Sequence, residues 1–272
     1  MATAQEHWIE SHPYLREVAE FEQKITAAFA GAKAGEIAMP QWAPILEKYV
    51  QGIPLLENTD QLIYAQAAGS VLSQALESLV AIGLTESIQP SAQSLLDHLR
   101  SGADAPAAAI QWVYNGDPTH PPVDSSGLLR LLAWPAIVRA LQPVLNSFAE
   151  LRKEDDWGHG DCPVCGAPPA MASILANTPR KLVCGYCRTS WQFRRIGCAF
   201  CDNVDPKELE IFTSEEEPLF RLDHCKLCNG YLKTYTGREN MDLFLSDWAS
   251  LHLDLVARQN GLERKAGALL EL

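Results

Sequence analysis

Up to Lys153 the apolar residues recur at helical spacing. In Leu15–Gly35, Val18, Phe21, Ile25 and Phe29 form one stripe, which predicts an amphipathic helix ending at glycine. Asp60 precedes QLIYAQAAGSVLSQALESLVAIG and reads as an N-cap, with Gly83 as the stop of a long helix. SAQSLLDHLRSG and PAAAIQWVYNG predict two shorter helices, and NGDPTHPPVDSSG (Asn115–Gly127) reads as a loop. GLLRLLAWPAIVRALQPVL (Gly127–Leu145) is the most apolar stretch. It carries Arg130, Arg139 and two prolines, so it predicts a buried helical pair, kinked near Pro135 and Pro143, rather than a membrane span.

After RKEDDWGHGD the periodicity changes. MASIL and KLV flank the turn ANTPR, and ELEIFT and LFRLD flank SEEEP, which predicts two β-hairpins. WQFRRI and YLKTYT follow them as third strands, so the region reads as two copies of one plan. A last amphipathic helix, Asn240 to Gln259, carries Leu243, Trp248, Leu251 and Leu255 and could pack on either part. The expected class is α+β: a helical domain (1–156), two small metal-binding β modules (157–197 and 198–238), and a C-terminal helix and tail (239–272).

All eight cysteines fall in that β region, and each belongs to a Cys-x-x-Cys pair: Cys162–Cys165, Cys184–Cys187, Cys198–Cys201 and Cys225–Cys228. Secreted disulfide frameworks rarely use this spacing alone, and a thioredoxin-like site needs one pair at a helix start. Metal coordination remains. A Cys-x-x-Cys turn presents two thiolates from one tight loop, and two turns close a tetrahedron. Such a turn favours a left-handed residue after its second cysteine. Gly166, Asp202 and Asn229 suit that position, and Arg188 is the least suited. The pairs can combine as nested, interleaved or sequential sites. The sequential scheme explains the hairpin between each couple, so Cys162, Cys165, Cys184 and Cys187 are expected to form site 1, and Cys198, Cys201, Cys225 and Cys228 site 2. Iron and zinc both accept tetrahedral sulfur, and ligand type does not separate them. Each site would supply on the order of 10–16 kcal/mol of binding energy to a module with little core. Arg180, Lys181, Arg188, Arg194 and Arg195 are expected to offset part of the thiolate charge.

The chain is 47% apolar and 21% charged, an ordinary globular balance. Ten basic and ten acidic residues between 157 and 239 cancel, so the rest of the chain carries the whole net charge of −12. An acidic surface repels phosphate backbones, which argues against a nucleic-acid partner. MATAQEHWIESHPYL lacks a basic segment followed by an apolar one, so a cytoplasmic location without membrane insertion is expected.

GDCPVCGAPPAMASI, CGYCRTSWQFRRIGCAFC and CKLCNGYLKTY, followed by DLFLSDWASLHLDLVARQNGLER, resemble the formate dehydrogenase accessory proteins, the FdhE family. The resemblance runs from Asp161 to Arg264 and is loose before that. It implies a helical N-terminal part, rubredoxin-like modules, and iron ligation by the eight cysteines. It also implies a cytoplasmic assembly factor that contacts the catalytic subunit of formate dehydrogenase and is not itself a turnover enzyme. A rubredoxin-like electron carrier is the alternative, and a zinc-ribbon nucleic-acid binder a weaker one.

No P-loop, G-x-G-x-x-G, G-x-S-x-G or H-E-x-x-H occurs, so no catalytic residue is assigned. His159 and His224 flank cysteine pairs and read as exposed loop residues rather than donors behind the ligands. Glu215–Glu217 reads as a solvated hairpin tip. Trp191, Phe193, Tyr231 and Tyr235 read as filling behind the cysteine turns rather than as a partner patch.

Overall fold

The computed structural model describes residues 13, 16–115, 121–123, 126–175, 178–215, 217–237, 247 and 250–266. Leu243, Trp248, Glu216 and most of the Asn115–Gly127 loop lie outside the described residues. The chain divides into two compact units. One takes the described residues up to Pro40 together with Thr59–Leu151, and the other takes Gln41–Asn58 together with the chain from Arg152 to residue 266.

The first unit is helical: α1 (Arg16–Gly31), α3 (Gln61–Ile82), α4 (Gln89–Leu99), α5 (Ala105–Asn115), α6 (Ser126–Ala140) and α7 (Gln142–Leu151). The helix α2 (Trp42–Val50) belongs to the other unit. The Asp60 carboxylate accepts from the N–H groups of Leu62 and Ile63, and Gly83 stops α3 at φ 87°. Ala65, Ala68, Val71, Leu72, Ala75, Leu76 and Leu79 of α3 are fully buried, so this helix is the axis of the unit. Gly69 lets α5 come close: a Cβ there would stand 2.7 Å from the Pro106 backbone carbon. Pro135 lies inside α6, and the chain turns by 68° between α6 and α7. Among the described residues no single helix is long and apolar enough to cross a membrane; the bent α6–α7 pair passes on length and composition only.

The second unit is built on one mixed sheet: β1 (Pro169–Ser173), β2 (Arg180–Cys184), β3 (Ser190–Phe193), β4 (Leu209–Thr213), β5 (Phe220–Cys225), β6 (Gly230–Tyr235) and β7 (Glu263–Arg264). Its order is β3-β2-β1-β6-β5-β4, with β7 also on β6. Each expected repeat appears as an antiparallel hairpin plus a third strand. The repeats then merge, because β1 pairs in parallel with β6 through Met171–Lys233, Ala172–Thr234 and Ser173–Tyr235. Every residue of β1 and β6 is buried, as central strands require.

Around this sheet lie α2 (Trp42–Val50), a 3-10 turn (Leu55–Asn58) and α8 (Leu251–Gln259). The sequence pattern had not singled out α2 or the 3-10 turn. The face of α8 also differs from expectation. Leu255 is 51% exposed, whereas Leu253, Asp254 and Ala257 are buried. The reason is a charge network. Tyr231, Lys233 and Tyr235 share one side of β6, and Lys233, 1% exposed, donates to Asp254 at 2.7 Å and pairs with Asp247 at 2.8 Å. Arg264 of β7 bonds both carboxylates, and the Tyr231 hydroxyl donates to Asp254 at 2.7 Å. Two cations and two anions balance one another away from water, so α8 turns its aspartate inward.

Candidate metal centres

Four tight turns carry the cysteines, and their backbones repeat. The N–H of Val164 donates to Cys162 Sγ at 3.4 Å, that of Tyr186 to Cys184 Sγ at 3.3 Å, and that of Phe200 to Cys198 Sγ at 3.3 Å. In the first three turns the leading cysteine N–H bonds a carbonyl five residues on: Ala167 (2.8 Å), Thr189 (2.9 Å) and Asn203 (2.8 Å). The residue after each second cysteine is left-handed: Gly166 (φ 74°), Arg188 (φ 60°), Asp202 (φ 59°) and Asn229 (φ 57°). Even Arg188 takes this form, because the turn demands it despite the cost of a Cβ there.

The sheet brings the turns together in sequential couples. Cys162, Cys165, Cys184 and Cys187 place their sulfurs within 4.8 Å of one another, and so do Cys198, Cys201, Cys225 and Cys228. Nested and interleaved schemes are excluded by this grouping. All eight are free thiols. Sulfur separations are 3.4 Å for Cys162–Cys187 and Cys165–Cys184, 3.6 Å for Cys198–Cys228, and 3.7 Å for Cys201–Cys225. Those are too long for a disulfide, whose bond is about 2.05 Å. They approach the edge of about 3.8 Å that a sulfur tetrahedron has when metal–sulfur bonds are about 2.3 Å.

The proton chemistry fits a cation as well. Burial pushes the Cys162 thiol well above its ordinary range. Bonds to Cys162, Cys184 and Cys187 do the same to Cys165. Cys187, whose burial acts upward, is nevertheless drawn well down by hydrogen bonds from Cys162, Cys165, Cys184 and Thr189. In the second group burial raises Cys198, while Cys225 falls to about 7 because backbone N–H groups and Asn203 outweigh its burial. Four crowded thiols cannot all ionise without a counterion, so some are held protonated; a bound dication removes that conflict. Both groups could hold a metal ion.

The surroundings of the sites differ from expectation in places. His224 is buried, 7% exposed, rather than a loop residue: it bridges Glu210 (3.3 Å) and Asn229 (3.2 Å), because it sits on β5 beside the fourth turn. His159 is exposed as expected, and its carbonyl accepts from the Trp191 indole at 3.3 Å. Trp191, Phe193, Tyr231 and Tyr235 are all buried, as filling residues should be. Of the expected counter-charges, Arg180 is 3% exposed and donates to the Gly197 carbonyl, next to Cys198, and to Asp223 on β5. Arg194 pairs with Asp202, and Arg195 donates to the Thr178 carbonyl at 2.8 Å.

Sequence reasoning missed a cover over the first turn. The N–H groups of Leu55 and Leu56 donate to the carbonyls of Pro163 (3.0 Å) and Val164 (2.9 Å), and Pro54 lies 3.2 Å from where a Gly166 Cβ would stand. Tyr49 stacks on Trp157 at 5.1 Å, donates to the Lys153 carbonyl, and has its phenol pushed up to about 12 by burial. The run IPLLEN between two helical patterns was the available signal.

The chain thus belongs to the proteins that combine a helical unit with a sheet carrying two tetracysteine clusters able to hold metal ions. No protein-family model matches the chain. Three curated relatives do: the "Protein FdhE homolog" of Aquifex aeolicus is 35% identical over 133 residues, 46% of this chain and 47% of the relative. Those of Stutzerimonas stutzeri and Pseudomonas aeruginosa are 35% and 31% identical, over 45% and 40% of this chain and 41% and 38% of theirs. The matched stretches thus span less than half of each relative. The crystal structure of the FdhE protein from Pseudomonas aeruginosa shares the fold, with a TM-score of 0.62 at 24% identity, over 97% of this chain and 92% of that one. The chain is thus similar to FdhE homologues over part of its length and shares the fold of the Pseudomonas aeruginosa FdhE protein.

Proposed function

We propose that the chain is an accessory protein of formate dehydrogenase assembly that binds the catalytic subunit of that enzyme, with a metal ion held by each tetracysteine group. The supporting observation is the pairing of a likeness to FdhE homologues with two four-sulfur clusters on one sheet. Cys162, Cys165, Cys184 and Cys187 hold one ion, iron or zinc, and Cys198, Cys201, Cys225 and Cys228 the other. The ions cross-link the cysteine turns at the ends of the strands. The chain's own part is to present rigid, metal-stapled loops to the client. It acts in the cytoplasm as an assembly factor rather than a turnover enzyme. No helix among those described is long and apolar enough to cross a membrane, and the net charge of −12 disfavours nucleic acid.

The experiment is co-purification. The tagged chain should retain the formate dehydrogenase catalytic subunit, and a Cys162→Ser/Cys198→Ser double variant should lose most of it. Retention of no formate dehydrogenase subunit by the wild-type chain would refute the reading.

A further inference from the structure

The two sulfur clusters are alike in ligand set and unlike in access. In the first, Cys162 and Cys184 are 0% exposed and Cys187 is 4% exposed, and only Cys165 reaches intermediate exposure. Pro163 and Val164 at the tip of its first turn are buried, with the Leu55–Leu56 backbone hydrogen-bonded across them. In the second cluster Cys201 is exposed and Cys228 half-buried. The tip of its second turn is open: Leu227 is 69% exposed, and Lys226 is exposed as well. A cleft of about 240 Å³ also borders this cluster at Cys198 and Cys225, lined further by Phe200, Ile196 and Arg180. The Gly261–Glu263 segment hydrogen-bonds Asn229 and the Gly160 backbone approaches Ala199, yet these neighbours leave Cys201 and Leu227 exposed.

We infer that the sites divide their work: Cys162, Cys165, Cys184 and Cys187 keep a permanent structural ion, whereas Cys198, Cys201, Cys225 and Cys228 form an exchangeable site for a thiophilic divalent metal. This rests on the metal-binding reading above. A metal leaves a thiolate cage when an incoming donor or a proton takes over one sulfur, so loss is controlled by access to the sulfurs. Cys201 is the exposed ligand, so a competing donor would approach the ion beside it: the metal–sulfur bond of Cys201 would break as the donor–metal bond forms, the freed thiolate taking a proton from water and leaving hydroxide to the solvent, with no redox change. In the first site the same approach requires lifting the Leu55–Leu56 cover and exposing two buried leucines to water. The shared turn geometry makes intrinsic affinity similar, and burial then separates the rates.

The test uses the full chain loaded with zinc under reducing conditions. Metal analysis comes first: two zinc ions per chain are expected, and fewer than one would sink the underlying metal-binding reading rather than the division of roles. A chromogenic chelator in excess should then release one equivalent fast and one slowly, with rates differing by roughly tenfold or more. In parallel, timed alkylation of the wild-type chain read by mass spectrometry should modify Cys201 and Cys228 before Cys162, Cys184 and Cys187. A Cys201→Ser variant should lose the fast equivalent and keep the slow one. Two equivalents leaving at one rate, or Cys162 and Cys184 alkylated first, would overturn the inference even if Cys201→Ser does not fold.

Discussion

The backbone N–H of Leu56 donates to the carbonyl of Val164 at 2.9 Å, tying a turn that precedes the longest helix to the first cysteine loop. Leu55 and Leu56 are 1% and 4% exposed, so this segment brings its own apolar contacts as well as hydrogen bonds. Leu56→Ala should therefore destabilise the second unit by about 2–5 kcal/mol, through lost burial and the cavity left behind. Denaturant unfolding followed by tryptophan fluorescence measures it, since Trp157 and Trp191 are buried in this unit. A change below about 0.5 kcal/mol, the usual size for a surface substitution, would mean that the cover is not packed as described.

Gly160 stands where a Cβ would collide with the carbonyl oxygen of Ala199, within the third cysteine turn. The obstacle is backbone, which cannot swing aside as a side chain can. Gly160→Ala should cost about 1–3 kcal/mol, and the loss should appear as a lower melting temperature in the metal-loaded protein. Gly158→Ala, which meets nothing within 4 Å, is the control and should leave the melting temperature close to that of the wild type.

The α8 clamp predicts an acid response. Although its burial acts upward, the Asp247 carboxyl is held below the ordinary carboxylate range by Lys233 and Arg264. A depressed folded-state pKa contributes stability that is present above the unfolded value, about 3.9, and is lost as pH falls through the folded one. Docking of α8 should thus be insensitive to pH from neutrality down to about pH 4.5 and weaken below that. Hydrogen exchange of the 251–259 amides at several pH values checks it. Asp254→Asn, which weakens the partner of a fully buried Lys233, should destabilise strongly, by about 3–5 kcal/mol.

Asn229 holds the fourth cysteine turn from both sides. Its side-chain carbonyl faces His224 at 3.2 Å, its amide donates to the Gly261 carbonyl at 2.9 Å, and its own backbone is left-handed. Asn229→Ala removes both bonds and puts a Cβ-only residue at φ 57°, so a loss of about 1–3 kcal/mol is expected. Zinc retention during dialysis against a weak chelator should fall at the second cluster, with the first unchanged. Asn229→Gly should lose less, because glycine restores the backbone freedom.

The helices of the first unit were legible because an apolar stripe at a period of 3.6, a capping aspartate and a stop glycine are local signals. Asp60 and Gly83 do in the fold what their positions imply. The cysteine grouping was legible for a related reason: a turn that presents two sulfurs is short, and each hairpin delivers the next turn to the same place. Arg188 shows where local propensity ends, since the turn imposes a conformation that the residue type disfavours.

Residue order alone therefore determined the helices of the first unit, the two hairpin repeats and the couples of cysteine turns, because each rests on contacts between near neighbours in the chain. Tertiary structure alone decided that the repeats share one sheet through β1 and β6, that Leu55 and Leu56 cover one cluster and leave the other open, and that α8 faces inward with Asp254. Those outcomes depend on which buried groups meet across long separations. A lysine in the middle of a buried strand has to find carboxylates wherever the chain can bring them, and no periodicity in the sequence records where that is.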